Sequence, residues 1–358
     1  MRSGRPMVNP GLRRVWRDTR TLQFGVDVSR PVVVHDLTAG MAQLVSCLDG
    51  TLTRSEVGEQ ARALDLDLET VDALITRLES ESVIVDASGW PGSRQLSRAA
   101  RDRLVSDHNA QCLLRGPRDA VRRRERFAQA EVSVHGLGRL GAIICALLTA
   151  SGVGRVIPVD DGQVAATDLS VAGFTSTAVG KPRRLITERS STWSALNETS
   201  RRQTSSQWSV VTNACPTRSI ASRLFHQGVP HLVTASAEEW TRVGPLVVPG
   251  VTSCLRCFDL IQSERDPAWP TIAAQIDPVS PTVTGDSNLV TATAAIVVMH
   301  LLEAIDLKQP PSANGVTFMQ MPDGVTVQRA APPSSRCGCT WPLPQRPTRA
   351  DEGDTMVA

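Results

Sequence analysis

The chain has 358 residues, of which 41% are hydrophobic and 21% charged, and 38 Lys and Arg residues oppose 36 Asp and Glu residues. This length exceeds one average domain, and the composition is that of a globular protein with a core of ordinary size. The near-balance of charge excludes a strong overall field toward nucleic acid or an anionic membrane, so we expect neither as a partner.

The N-terminal residues MRSGRPMVNPGLRRVW contain no apolar segment of the kind found in a signal peptide. The longest apolar run, 289–305, is short for a membrane span and includes His300 and Glu303, which favours a buried helix. We therefore expect a cytoplasmic protein, in which the eight cysteines are reduced or bound to metal rather than paired in disulfides.

Residues 12–88 predict a small α+β domain that resembles a winged helix. Residues 21–37 alternate in polarity and are rich in β-branched side chains, which indicates two short strands around a turn at 27–30. We expect a first helix over 38–50, a second helix opened by the capping box of Thr53 and Glu56, and a third helix over 67–82. A strand over 83–86 is expected to follow.

The third of these predicted helices argues against DNA binding by this domain. Its single arginine, Arg77, lies among five acidic residues: Asp67, Glu69, Asp72, Glu79 and Glu81. A recognition helix of that charge would be repelled by phosphates. Peptide binding is better supported, because an extended peptide can add to the edge of a small sheet by main-chain pairing.

The rest of the chain divides into three parts. Residues 89–130 predict a linker of helical character, in which the arginine-rich stretch 118–127 is expected to be a solvated helix face. Residues 131–340 form the larger predicted domain. The polar, proline-rich tail 341–358 is expected to be disordered.

A glycine motif opens the larger domain. The stretch VSVHGLGRLGAII predicts a strand, then Gly136, Gly138 and Gly141, then an apolar helix. Glycines at this spacing permit a tight turn and close approach of the backbone to a phosphate, which the helix N-terminus attracts. The next predicted strand ends in Asp160, 19 residues after Gly141, where a ribose hydroxyl would be bound. The alternative is a βαβ turn without a ligand.

Two close pairs of cysteines predict a metal site. Cys254 and Cys257 form the first pair, and Cys337 and Cys339 form the second. Four thiolates complete the tetrahedral coordination of zinc and leave no open position, so this metal would be structural. The alternative is two chance pairs of reduced thiols.

Together these motifs resemble the ThiF/MoeB superfamily, the bacterial relatives of ubiquitin-activating enzymes. The matching stretches are GLGRLG (136–141), GVGRVIPVDD (152–161), VGKPR (179–183), TNACPTR (212–218) and CLRC (254–257), with the late apolar helix and the terminal cysteine pair. The resemblance implies an α/β fold, in which a Rossmann-like ThiF-type domain with structural zinc follows the small winged-helix-like domain.

The resemblance also implies ligands and partners. Members bind ATP and magnesium, and they adenylate the C-terminal carboxylate of a ubiquitin-like carrier protein or a peptide; relatives form homodimers. The N-terminal domain is similar to the precursor-recognition domains of ribosomal peptide biosynthesis. The fusion of the two resembles the partner protein of azole/azoline cyclodehydratases, in which a separate YcaO-type enzyme performs the ATP chemistry.

This chain departs from the family pattern at the residues that handle ATP. Where the family has Asn-Leu-x-Arg-Gln, the chain has Asp168, Val171 and Ala172 at the Asn, Arg and Gln positions. The family's magnesium-binding aspartate falls on Asn213, which makes a catalytic role for Asn213 doubtful. Lys181 and Arg218 remain as catalytic candidates, and Lys181 with Asp160 and the three glycines as nucleotide-binding candidates.

Three hypotheses follow. The first is a protein that binds a precursor peptide or small carrier and presents it to a partner enzyme, with weakened or lost adenylation, since the loss of one cation and one metal carboxylate costs orders of magnitude in rate. The second is an active adenylyltransferase, which depends on Asp160, Lys181 and Arg218. The third is a nicotinamide oxidoreductase, which the doubled acid and the cysteine pairs argue against.

Overall fold

The computed structural model describes residues 4–26, 31–88, 98–190, 206–212, 217–237, 239–276 and 285–340. The chain divides into two compact units: Met1–Ala128 with Ala195–Arg202, and Gln129–Ser194 with Gln203–Ala358. The predicted turn at 27–30 and the predicted disordered tail lie outside the described residues. The finer division into a winged-helix-like domain and a linker stays a prediction.

The described part of the first unit contains five short strands in two antiparallel sheets. The strands are β1 (Pro6–Val8), β2 (Arg14–Trp16), β3 (Leu22–Phe24), β4 (Val32–Val34) and β5 (Ile84–Asp86). The strands β2, β3 and β4 form one sheet in that order, and β1 pairs with β5. Leu22 and Phe24 lie on the same face of the central strand β3 and are buried, so this face forms part of the core.

Three helices complete that core: α1 (Ala39–Ser46), α2 (Arg54–Ala63) and α3 (Leu68–Ser80). Each begins after a side chain that accepts a hydrogen bond from the first turn, and these caps are Thr38, Thr53 and Asp67. The predicted capping box of Thr53 and Glu56 is confirmed. These helices form where the sequence predicts them because both the caps and the apolar spacing are local signals.

Two further helices in this region are α4 (Arg98–Arg115) and α5 (Pro117–Gln129). The expectation that the arginine-rich stretch is a solvated face is wrong for two of its residues, since Arg123 and Arg124 are buried. The Arg123 guanidinium lies 4.7 Å from the centre of the Phe127 ring. Burial lowers the pKa of Arg124 to about 10. A run of charge does not reveal such burial, because the alkyl stem of arginine packs like an apolar side chain.

The second unit is built on a seven-stranded sheet of order β12-β11-β10-β9-β8-β6-β7. Its strands are β6 (Ala130–His135), β7 (Arg155–Val159), β8 (Ser206–Val211), β9 (His231–Ala237), β10 (Trp240–Val247), β11 (Gly315–Gln320) and β12 (Val325–Ala330). Strands β6 to β9 are parallel, and β10, β11 and β12 extend the sheet antiparallel. The unit is therefore a mixed α/β domain with the Rossmann-like parallel sheet that the sequence predicts.

The order of the strands positions the site. Strand β6 lies between β7 and β8, so the chain leaves β6 on one side and returns to its other side for β8. The carboxyl ends of β6 and β8 form the crevice at which open α/β sheets bind ligands.

Helices cover both faces of this sheet. They are α6 (Arg139–Ala150), α7 (Arg183–Ser190), α8 (Thr217–His226), α9 (Leu255–Arg265), α10 (Trp269–Ile276) and α11 (Ser287–Ile305). Helices α6 and α11 pack together on one face, and Thr293 of α11 hydrogen-bonds to Thr241 of β10. Helices α8 and α9 share a core cluster with β9 on the opposite face.

The helix α11 is long and apolar enough to cross a membrane by length and composition, with a mean hydropathy of 1.7. However, 61% of this stretch is buried inside the protein, as in the core helix of a globular domain. The location of the protein in the cytoplasm stays a prediction.

Candidate functional site

The glycine motif adopts the predicted strand–loop–helix arrangement. Strand β6 ends at His135, and Gly136 has a φ of +83°, in the left-handed region that favours glycine. Gly138 caps the N-terminus of α6. A Cβ atom at Gly141 would lie 2.0 Å from the carbonyl oxygen of Gly136, so only glycine lets α6 lie this close to the loop.

The end of β8 is hydrogen-bonded to this loop. The backbone amide of Thr212 donates to the carbonyl of His135 at 3.0 Å, and its hydroxyl donates to the carbonyl of Gly136 at 2.9 Å. Thr212 thus fixes the loop at the crevice between β6 and β8. The next residue, Asn213, and the nearby Cys215 lie outside the described residues.

Asp160 follows β7, and its two oxygens accept hydrogen bonds from the glycine loop and from the turn after β7. Its Oδ2 accepts a hydrogen bond from the backbone amide of Leu137 at 2.7 Å, and its Oδ1 accepts one from Gly162 at 2.6 Å. The side chain is 6% exposed. Asp160 therefore stabilises the loop itself, and its predicted contact with a ribose stays a prediction.

A buried ionic group lies beside Asp160. The Arg183 guanidinium donates to Oδ2 of Asp168 from both Nε and Nη2, at 2.9 and 2.8 Å, and its Nη1 lies 3.5 Å from Asp160. The backbone amide of Ala165 donates to the same oxygen of Asp168 at 2.8 Å. One arginine is thus shared by two carboxylates, an arrangement that sequence reasoning missed because the three residues lie on separate segments.

The positions at which the family has arginine and glutamine are exposed here. Val171 is fully exposed, and Ala172 beside it is also exposed. Lys181 is exposed, and its carbonyl accepts from the amide of Val164, so it belongs to the same loop region as Asp160. Another nearby cation, Arg139, donates to the carbonyls of Thr167 and Gly285 at 3.0 and 2.9 Å.

The second predicted catalytic cation, Arg218, lies in the first turn of α8 and is held by α9 and α10. Its guanidinium forms a two-point ion pair with Asp259, at 3.1 and 3.0 Å, and donates to the carbonyl of Ala273 at 3.2 Å. Asp259 also accepts from the indole of Trp269 at 2.9 Å. These contacts make Arg218 a residue that fixes α9 and α10 against α8.

His135 is a buried residue at the end of β6. Its Nε2 lies 3.1 Å from the hydroxyl of Ser133, and that hydroxyl lies 2.7 Å from the hydroxyl of Ser209. Burial lowers the pKa of His135 to about 4, so the imidazole is neutral at pH 7.

The four cysteines of the predicted metal site meet in space. Cys254 caps the N-terminus of α9 and Cys257 lies in its first turn, while Cys337 and Cys339 follow β12. All four sulfur atoms lie within 4.8 Å of one another, and the closest pairs, 254 with 337 and 257 with 339, are 3.4 and 3.3 Å apart. Zinc with bonds of about 2.3 Å to four sulfurs places them about 3.8 Å apart, so the cluster fits such an ion.

The shifted pKa values of these thiols are also consistent with a site for a cation. Burial and the neighbouring Cys254 raise the pKa of Cys337 to about 12. Burial raises the pKa of Cys257 as well, but backbone amides of Ser334 and Cys254 donate to its sulfur and lower the pKa overall. Four adjacent thiolates repel one another, and a bound divalent cation removes that cost. The cysteines can therefore hold a metal ion such as zinc.

A family profile decides the relationship of the chain. The profile of the ThiF family matches residues 108–340. The chain belongs to the ThiF family. This confirms the resemblance drawn from the glycine and cysteine motifs, and it rests on the part of the chain that contains the whole seven-stranded sheet.

Solved structures give the same fold. E. coli MccB with MccA-N7isoASN aligns with a TM-score of 0.63 and 16% identity, over 94% of this chain and 99% of that one. E. coli MccB with ATP has a TM-score of 0.62 at 16% identity, over 93% and 99%. PaaA has a TM-score of 0.62 at 16% identity, over 90% and 99%. No curated protein matches the sequence.

Proposed function

We propose that this ThiF-family protein binds a precursor peptide and presents it to a partner modifying enzyme, with a nucleotide site whose adenylation is weak or lost. The observation that carries the second part is the pairing of Arg183 with Asp160 and Asp168. The positive charge of Arg183, which lies 3.5 Å from Asp160, is neutralised by the protein's own carboxylates.

The charges around the glycine loop support weak nucleotide chemistry. Adenylation develops negative charge on the transferring phosphate, which cations and magnesium must neutralise. Here Arg183 pairs with carboxylates, Arg184 pairs with Glu188 at 3.6 Å, and Val171 replaces the family's arginine. Asn213, at the position of the magnesium-binding aspartate, offers a neutral amide, which is a weaker ligand than a carboxylate.

A peptide as the ligand is supported by the neighbours and by the first unit. MccB structures hold MccA in several forms, including N-formylated MccA. In the first unit, β2 and β4 are the two edges of the three-stranded sheet. An edge strand offers unpaired main-chain groups to an extended peptide.

The register identifies which groups of β4 face outward. The amide of Arg17 donates to Thr21, and that of Gly25 to Arg13, so alternate residues of β3 bond to β2. The residues of β3 between them, Leu22 and Phe24, face β4, which leaves the amide and carbonyl of Val33 directed away from the sheet. The Arg77 side chain of α3 donates to this carbonyl at 3.2 Å, so a peptide main chain would compete with a single guanidinium there.

The test is calorimetric titration of candidate precursor peptides into the full-length protein and two variants. Val33→Pro removes the outward amide, which β3 does not use, so the variant is expected to fold and to lose at least tenfold in peptide affinity. Arg14→Pro is the matched control, since Arg14 is the outward-facing residue of the other edge strand β2. Unchanged binding by Val33→Pro would refute recognition at this edge, and no binding by the wild type would refute the proposal.

A second function, active adenylation of a carrier protein or peptide, is favoured by the intact glycine loop and the exposed Lys181. ATP–pyrophosphate exchange in the presence of the peptide separates the two. We expect no exchange above background; exchange that disappears in Lys181→Ala would establish the enzyme.

The remaining partners rest on the resemblance alone. We propose a YcaO-type enzyme as the partner and a homodimer as the assembly. Co-purification of the two proteins with the peptide, and light scattering of this protein by itself, test these points.

A further inference from the structure

Arg242 is a buried arginine whose charge is not paired with a carboxylate among the residues that the structure describes. It lies in β10, is 8% exposed, and its Nε is buried without a hydrogen bond. The guanidinium lies 4.4 Å from the centre of the Phe258 ring of α9. No carboxylate of the described residues forms an ion pair with it. Stacking on an aromatic ring compensates only part of the cost of removing a guanidinium from water.

The carboxylate that acts on Arg242 within the described part of the chain is already bound to other groups. Asp259 attracts Arg242, but its two oxygens bind Arg218 and the indole of Trp269. Burial lowers the pKa of Arg242 to about 10, so it is still charged at pH 7. Within the described residues, two guanidinium groups therefore share one carboxylate, and the group carries a net charge of about +1 among apolar side chains.

The register of the strands places Arg242 at the ligand-binding edge of the sheet. His135 at the end of β6 is level with Val211 of β8, which is level with Val233 of β9. Arg242 of β10 pairs with Ala235, two residues beyond Val233 on β9. Arg242 thus lies just past the level at which β6 and β8 end. Three strand spacings separate it from β6, roughly 14 Å along this edge. Its side chain points to the face of α9, and Arg218 lies in the first turn of α8 on the same face.

We propose that Arg242 binds a carboxylate of the peptide ligand, in a subsite along the carboxyl edge of the sheet from the glycine loop. The peptide nature of the ligand rests on the proposed function. A single carboxylate balances a net charge of +1 and matches the planar fork of a guanidinium at two points. A phosphate, with nearly twice that charge, would leave the site negative.

The test uses the full-length protein and immobilised octapeptides, in which one Glu is moved through a Gly/Ser/Ala sequence and compared with Gln at each position. We expect one position at which Glu is bound about tenfold more tightly than Gln. In Arg242→Met, the peptides with Glu and with Gln at that position should bind with about equal affinity. Arg329→Met is the matched control, because Arg329 stacks on Phe318 at 5.1 Å but is exposed on β12; this variant should keep the preference.

Thermal unfolding without peptide gives a second readout, independent of the proposed function. If no internal carboxylate neutralises Arg242, Arg242→Met removes an uncompensated charge and keeps or raises the Tm. A fall of several degrees, or failure to fold, would mean that the protein supplies its own anion, and it would overturn the subsite. Peptide binding without any Glu preference would overturn the subsite alone, whereas no binding of any peptide would overturn the proposed function as well.

Discussion

The cysteine cluster and the glycine loop lie in the same unit, and both were predicted from short motifs, but they differ in what the motif itself supplies. In the cluster, Cys254, Cys257, Cys337 and Cys339 are the complete ligand set, and they meet within 4.8 Å. In the loop, Gly136, Gly138 and Gly141 supply only backbone shape. The cations that a triphosphate needs come from other segments, and there Arg183 is paired with two carboxylates.

This difference separates motifs that contain the functional atoms of a site from motifs that contain only its backbone. A motif of metal ligands predicts a site almost completely, because the ligand atoms belong to the motif. A glycine motif predicts a place for an anion, but whether the anion reacts depends on charges that the fold brings in. Four variants with matched controls test whether the cysteine cluster and the glycine loop differ in this way, and they are ordered by the size of the effect.

Removal of one cysteine ligand should have the largest effect. Cys257→Ser leaves three thiolates, and we expect the zinc content to fall from one ion per chain to near zero. Because structural zinc contributes on the order of 10 kcal/mol in small metal domains, we expect the free energy of unfolding to fall by more than about 5 kcal/mol. Elemental analysis and denaturant unfolding measure both. Cys47→Ser, outside the cluster, is the control. Equal stability of the two variants would show that no bound metal stabilises the fold through these cysteines.

The pairing of Arg183 is tested by Arg183→Met. This change leaves two buried carboxylates without their cation, and breaking such a pair costs about 3 kcal/mol. The neighbouring Arg184→Met is the control, because Arg184 and Glu188 are exposed and their pair contributes at most about 0.5 kcal/mol. Urea unfolding should separate the two variants clearly. Equal stability would mean that Arg183 is free for phosphate.

The shape of the loop is tested by Gly141→Ala. The added Cβ meets the carbonyl of Gly136, and overpacking of this kind costs about 2 kcal/mol. Gly58→Ala is the control, since Gly58 lies in α2 with open space around it and should gain about 0.5–1 kcal/mol in helix stability. A stable Gly141→Ala would show that the close contact of α6 with the loop is not maintained in solution.

The absence of a positive charge at position 171 is tested by Val171→Arg. A cation at this exposed position should raise the affinity for ATP and magnesium about tenfold, or about 1.4 kcal/mol, without turnover. Val179→Arg controls for added charge in general, because Val179 is also exposed and lies farther along the same region. Tight ATP binding by the wild type would contradict the claim that the absence of a cation at position 171 weakens the site.

Much of the local structure could be predicted from the sequence. The caps at Thr38 and Thr53, the strand–glycine–helix unit and the cysteine pair at the start of α9 depend on residues close together in the chain. The antiparallel extension of the sheet by β10, β11 and β12 was not predicted, since those strands carry no motif. The burial of Arg123 and Arg124 was predicted wrongly, because charge was taken as a sign of exposure.

The glycine loop and the cysteine ligands of a ThiF-family protein can be recognised in the sequence alone. The fold is needed to see that Arg183 is shared by Asp160 and Asp168, that Arg218 binds α9 and α10, and that Arg242 is buried beside Phe258. The loop backbone and each cysteine pair depend on residues that are close together in the chain. The electrostatic state of a site depends instead on which distant charges the packed strands and helices bring within a few ångströms.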